Sequence, residues 1–448
     1  MRRRDFIKTG SILAAGLPAI SAAPYIQRQP EVIILGAGLA GLGAALRLQE
    51  MGAKYTVLEA RNRIGGRVNS HTISPENGLT VELGAEWIGE SHTELLSLCE
   101  SFGLEILDHR FDTALLLNGS YSKANDWSWE AGHKKLEEQL KAFTSASAKE
   151  EKSLDTTDWW RYLKTLGLSE RDLEIRELLD STDFGETIRN VSAFSALSEY
   201  AYSSPKNEMD YIVKGGNSKI IEKLADKTGR ENIHTSHKVT RVSQSSGRVT
   251  VTCENGKTFT ADKVICTLPT FAISQIQWEP AFPEAKQEAI SALQYCRIMK
   301  FSVLFSERFW KEEAFDLITD TPAHYFFHST KLQPGKEGVL TAYATGDKAY
   351  LMSKMSPQQR KKMVAEALDI PFGKVDDYIL KVAGYYWGND PLTQGAYAIY
   401  DTNQWFTLLP VLHKPFRHIH FAGEHIAEWQ GFMEGAFVTG KEAAEAVG

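Results

Sequence analysis

The chain is poor in cysteine: Cys99, Cys253, Cys266 and Cys296 are its four thiols in 448 residues. None stands in a Cys-x-x-Cys pair or a Cys/His cluster, which excludes a disulfide scaffold and the usual zinc or iron–sulfur ligand sets. Cys253 and Cys266 fall in strand-like runs and read as buried, reduced thiols. Proline is sparse as well, 15 residues against 34 glycines, and no internal repeat or low-complexity linker appears. With 43% hydrophobic and 24% charged residues, this composition excludes disordered and collagenous polymers and describes a globular chain long enough for two or three lobes. Positive charge is also short. The formal net charge is -7, and Arg2, Arg3, Arg4 and Lys8 cluster at the front against Asp5, so the remainder is more acidic still. A body of that sign is a poor partner for nucleic acid or an anionic membrane and favours cationic partners.

The front reads as a basic stretch, a moderate apolar run and small residues at 21–23 where a signal peptidase could cut. The run is too short for a bilayer and is broken by Gly16 and Pro18. Arg3-Arg4-Asp5-Phe6-Ile7-Lys8 resembles a twin-arginine export signal, whose translocase carries proteins already folded around a cofactor. Residues 1–23 are therefore expected to be a signal peptide, and the mature protein to be periplasmic.

Val32-Ile33-Ile34-Leu35 has the continuous apolar character of a parallel strand covered on both faces, and it runs into Gly36-Ala37-Gly38-Leu39-Ala40-Gly41. A helix follows through Ala44, Leu46 and Leu48, then Gly52 as its stop and a second strand, Tyr55–Leu58, ending in Glu59. Gly36 suits a tight turn, Gly38 lets backbone approach a pyrophosphate, and Gly41 lets helix pack on strand, while the helix N-terminus offers free N–H groups to an anion. Glu59 stands 18 residues after Gly41, where a carboxylate accepts hydrogen bonds from ribose hydroxyls. A dinucleotide is expected, FAD or NAD. The continuation Ala60-Arg61-Asn62-Arg63-Ile64-Gly65-Gly66-Arg67 favours FAD, since it resembles the second glycine motif of flavoproteins.

On these residues and on blocks recurring to the C-terminus, the chain resembles the flavin-containing amine oxidase family, which includes monoamine, polyamine and L-amino acid oxidases. The resemblance implies that Gly84-Ala85-Glu86-Trp87 pass beside the isoalloxazine ring, that Arg67 pairs with the pyrophosphate, and that the backbone of Val239 meets the adenine. It implies that Gly423 and Glu424 lie at the pyrophosphate and ribityl chain, and that Met433 opens a helix, with Ala436 in its first turn, whose amides face the flavin O2 region. Trp387 would form part of an aromatic wall, with core packing as its alternative. Ala396 stands where covalently flavinylated members have cysteine, so the FAD is expected to be non-covalent.

The chemistry implied is hydride transfer from the carbon of a neutral amine to flavin N5, giving an imine that hydrolyses, with reoxidation by O2 or a periplasmic electron acceptor. Tyr397 and Phe432 match the two aromatic cage positions, and Lys300 matches the lysine that binds a water at N5, with snorkelling to the surface as its alternative. Glu86 and Glu90 occupy a segment that in polyamine oxidases supplies acids for a second ammonium, with a plain surface or structural role as the alternative for each. His92 reads as a satisfied or solvated histidine. An amino acid substrate is disfavoured because no arginine follows Gly84-Ala85, yet Phe421-Ala422-Gly423-Glu424-His425 looks much like bacterial L-amino acid oxidases, so that reading stays open. Other flavin oxidations and a non-enzymatic flavin module are further alternatives.

The expected architecture is α/β: a Rossmann-like FAD domain (residues 30–93, 211–281 and 382–448) interleaved with an α+β substrate domain (94–210 and 282–381). Hairpin turns are expected at Ser245-Ser246-Gly247 and Glu254-Asn255-Gly256, a helix from Ser169 as N-cap to Leu179, strands at Met299–Phe305 and Gly338–Tyr343, and a helix at Pro357–Ala367. A homodimer is among the expected assemblies.

Overall fold

The computed structural model describes residues 29–448; the expected export signal lies outside the described residues. A five-stranded parallel sheet runs in the order Ile419–Phe421, Lys263–Cys266, Glu31–Leu35, Lys54–Leu58, Ile233–His234. Its central strand is buried along all but its first residue, as an apolar run covered on both faces requires. Helix Leu39–Glu50 leaves the end of that strand and packs on helix Met433–Val447, so residues distant in sequence close one layer over the sheet. The approach depends on glycine: a Cβ on Gly43 would lie 2.9 Å from the Phe437 ring, and one on Gly440 would lie 2.0 Å from the carbonyl oxygen of Ala40.

A four-stranded sheet beside it contains both expected hairpins. Ser246 (φ 51°) and Gly247 (φ 80°) form the two-residue link between Val239–Ser245 and Arg248–Cys253, with the positive φ pair that matches strand twist. All four cysteines are buried and free.

A second large sheet has seven strands, ordered Ile379–Tyr386, Ile298–Phe305, Gly338–Thr345, Tyr325–His328, Phe315–Thr319, Asp112–Leu117 and Ser120–Ser122. Ile298–Phe305 is buried throughout. Its period of two separates its side chains: Met299, Phe301, Val303 and Phe305 join an apolar cluster with Trp310, Met352 and Leu368, which turns Lys300 to the opposite face. Helices between residues 133 and 202 cover that side. Among them, Ser169 caps Glu170–Phe184 by accepting from the N–H of Asp172. This helix runs beyond Leu179 because the chain first meets a residue suited to a left-handed stop at Gly185 (φ 74°). Pro357–Phe372 likewise outlasts its expected end and stops at Gly373 (φ 73°).

Candidate active site

Between the parallel sheet and the buried strand carrying Lys300 lies a cavity of about 450 Å³. It is lined by Gly36, Gly38, Leu39, Ala40, Glu59, Ala60, Arg61, Gly66, Arg67, Gly84, Ala85, Glu86, Trp87, Val239, Lys300, Trp387, Tyr397, Gly423, Glu424, Phe432, Met433 and Ala436. Of the residues expected to hold the flavin or form its aromatic cage, Gly41 alone stands behind the lining. A Cβ there would sit 1.9 Å from the carbonyl oxygen of Gly36, so its role is to let the helix close under the turn.

One end of the cavity is built from backbone. Gly36 takes φ +102°, and a Cβ on Gly38 would meet no atom within 4 Å, so the turn opens a cradle in front of the helix starting at Leu39. No side chain caps that helix, whose first N–H groups therefore stay available to an anion. Glu59 is held at the end of the second strand: its carboxylate accepts from the N–H of Ala37 (2.9 Å) and of Arg61 (2.8 Å), leaving lone pairs for ribose hydroxyls. Gly38 bridges to Gly65, bringing the two glycine motifs side by side. An open glycine cradle, an uncapped helix start and a fixed carboxylate suit a dinucleotide carrying a pyrophosphate. Arg67 is not left for the pyrophosphate alone, since it pairs with Glu424 at 2.6 Å. Burial works to lower the Arg67 pKa, but the adjacent Glu424 carboxylate outweighs it and raises the net value.

In the middle, Ala85 N–H bonds the Arg67 carbonyl (3.0 Å), and a Cβ on Gly84 would lie 1.9 Å from that same oxygen. Trp387 is both core and wall: it is buried, donates from Nε1 to the Leu83 carbonyl (2.9 Å), and lines the cavity.

The other end is built from side chains. Lys300 Nζ lies 2.5 Å from Glu86 Oε2, with both side chains buried. Lys300 is 3% exposed, so it does not snorkel to the surface. The rings of Trp87, Phe327 and Tyr343 surround its ammonium at 5.7, 5.8 and 5.7 Å. Burial raises the Glu86 pKa while Lys300 opposes that rise, and behind it Glu82 is pushed up to about 7 by burial and by the Glu86 charge. Tyr397 is fixed by a hydrogen bond to the Asp183 carbonyl, and its ring abuts Gly431, the residue before Phe432.

The alternatives left open for Glu86 and Glu90 are separated by the fold. Glu90 does not line the cavity; its carboxylate is exposed and pairs with Arg110 at 3.3 Å. Glu86 does line it, but its carboxylate is engaged by Lys300 rather than left for a second ammonium. His92 is fully buried, accepts at Nδ1 from the N–H of Gly89 (2.8 Å) and is pushed down to about 3 by burial, so it is a neutral histidine whose Nε2 has no hydrogen-bond partner among the described residues and faces Glu208 at 3.5 Å.

Sequence reasoning missed a third group. Asp183, Glu199 and Glu208 also line the cavity, with Asn207 between them in sequence. Burial, reinforced by the charge of Asp180, pushes Asp183 up to about 7, and Tyr200 donates to it at 2.8 Å. No motif marks these acids, because two helices and a loop supply them separately.

The family model described as flavin containing amine oxidoreductase matches residues 39–448. An L-amino-acid oxidase of Siganus canaliculatus is 26% identical over 94% of this chain and 86% of its own length. A probable polyamine oxidase 4 of Arabidopsis thaliana is 29% identical over 93% of this chain and 86% of its own. Among solved structures, the cyclohexylamine oxidase of Brevibacterium oxydans superposes with a TM-score of 0.82 at 22% identity, covering 94% of this chain and 98% of that one. A family match over residues 39–448, on a cavity with an open glycine cradle, makes this chain a member of the flavin-containing amine oxidoreductases, an enzyme that oxidises amines with a flavin cofactor.

Proposed function

We propose that the flavin is FAD, held without a covalent bond, and that the substrate is a cationic amine with no carboxylate beside its reacting carbon. The observation that carries the substrate class is the charge of the cavity wall. Its cationic side chains Arg61, Arg67, Lys238 and Lys300 are all in ion pairs, with Asp390, Glu424, Glu254 and Glu86. Asp183, Glu199 and Glu208 add acidic groups to the wall, Asp183 gaining its charge as pH rises through about 7, and the nearest basic group to Glu208, His92 at 3.5 Å, is kept neutral by burial. An ammonium ion is favoured in such a site, and a carboxylate has no free cation to meet there. Non-covalent attachment is supported by the absence of cysteine from the lining: Ala396 precedes Tyr397, and the Cys296 thiol is buried and donates to the Phe184 carbonyl (3.0 Å).

A bound flavin supplies the two-electron oxidation of the amine to an imine and is itself reoxidised by O2 or another acceptor. The chain's own residues prepare that step. Tyr397 and Phe432 present aromatic faces that orient the amine, and enclosure among them strips water from the ammonium, which lowers its pKa and favours the neutral amine that reacts. Lys300 is held where it can fix a water inside the cavity. We further propose that the two lobes divide the work, with residues 30–93, 211–281 and 382–448 holding FAD and 94–210 with 282–381 shaping the substrate side. Export of the folded holoenzyme to the periplasm by the twin-arginine route belongs to the same proposal and rests on Arg3-Arg4-Asp5-Phe6.

The test is an anaerobic titration of the purified yellow protein with matched pairs, such as an alkylamine and the L-amino acid of the same side chain. Amines should bleach the flavin and the amino acids should not. Faster bleaching by amino acids would install the L-amino acid oxidase reading, to which the 26% identical Siganus canaliculatus relative points. Acid precipitation should release the chromophore to the supernatant.

A further inference from the structure

The Lys300–Glu86 pair is buried, lines the cavity and joins residues 214 apart in sequence. Two charges removed from water at 2.5 Å are tolerated because each neutralises the other. The lysine does not depend on Glu86 for its location alone, since Trp87, Phe327 and Tyr343 enclose its ammonium and its strand is paired on both edges. What Glu86 contributes that the rings cannot is a full negative charge.

We propose that Glu86 is a specificity-determining residue: it cancels the charge of Lys300, so that this end of the cavity accepts a cation and refuses a carboxylate. This rests on the amine reading above. Without Glu86 the same cavity would present an uncompensated buried cation, which is the feature a carboxylate ligand requires. Without Lys300, burial drives Glu86 to its protonated form, and the same end carries no charge of either sign. Only the loss of Glu86 therefore leaves a charge unbalanced.

The experiment uses flavin-loaded protein and two probes that are not turned over, benzoate as the anion and tetramethylammonium as the fixed-charge cation. Binding is read from the perturbation of the flavin absorbance and from the thermal shift. Work at acidic pH favours protonated Glu82, whose pKa burial raises even when the Glu86 charge that adds to it is gone, so that it does not replace the missing charge. Glu86→Gln is expected to bind benzoate at least tenfold more tightly than wild type and tetramethylammonium more weakly, a change of about 1.4 kcal/mol or more. Lys300→Met and the double variant, in which no charge is left unbalanced, are expected to bind both probes close to wild type. A purely structural pair would weaken both probes in each variant, and that result, or unchanged benzoate affinity in Glu86→Gln, overturns the inference. Should Glu86→Gln fail to retain flavin, Glu86→Met, which keeps the side-chain volume, takes its place in the benzoate arm. Wild type that oxidises amines while Glu86→Gln ignores benzoate refutes this inference alone. Wild type that oxidises amino acids refutes the amine reading.

Discussion

The two ends of the cavity are made in different ways. The cradle end is backbone: Gly36, Gly38, the uncapped start of Leu39–Glu50 and the carboxylate of Glu59 come from 29 consecutive residues of one strand–helix–strand unit, Glu31 to Glu59. The other end is side chain: Glu86, Lys300, Tyr397, Phe432, Asp183 and Glu199 arrive from separate elements and meet only when distant parts of the chain pack together. A site made from contiguous backbone is robust to side-chain identity except at its glycines, whereas a site made from converging side chains can change its substrate by exchanging one residue.

The sharpest way to break the first end is to put a side chain where none fits. Gly41→Val places its Cβ within 1.9 Å of the Gly36 carbonyl, and it should abolish flavin incorporation, giving colourless protein when the absorbance ratio is measured. At the second end, Lys300→Met should keep flavin bound while slowing flavin reduction or reoxidation by about 10²–10³, the scale of one lost polar contact to reacting atoms. Stopped-flow measurement of the two half-reactions checks it, and rates within about twofold of wild type would move Lys300 off the reaction path. Asp183→Asn should act more gently. With the carboxyl pushed up to about 7, it gains negative charge as pH rises through 7, so tetramethylammonium affinity in wild type should rise severalfold between pH 6 and 8. The asparagine variant should lose that rise. Ser169→Ala, which removes a cap outside the cavity, should cost about 1 kcal/mol in chemical denaturation and leave both probes' affinities unchanged.

The same contrast explains what was legible in the sequence. The parallel strands at Glu31–Leu35 and Lys54–Leu58, the helix between them and the hairpins could be read because their signals are short-range: an apolar run, a glycine spacing, a turn. Lys300 and Tyr397 could be named from family resemblance. The pairing of Lys300 with Glu86 could not, because no local pattern records which of several glutamates a lysine will meet 214 residues away. Glu86 and Glu90 are near-equivalent on paper and are separated only by folding, which buries one and leaves the other at Arg110. Asp183 was invisible for a related reason. It lies in the part of helix Glu170–Phe184 beyond Leu179, where the pattern no longer showed a helix and so gave no face to assign.

The packing of Met433–Val447 on Leu39–Glu50 also sets an order of events in the cell. Phe432, Met433 and Ala436 line the same cavity as Gly36 and Gly38, and Gly440 fits against Ala40. During synthesis the first glycine turn is made early, yet one wall of its pocket is missing until residues 432–447 have left the ribosome. Flavin capture is thereby coupled to completion of the polypeptide, and a chain cut short before this helix would be an apoprotein with an open core rather than a slower enzyme.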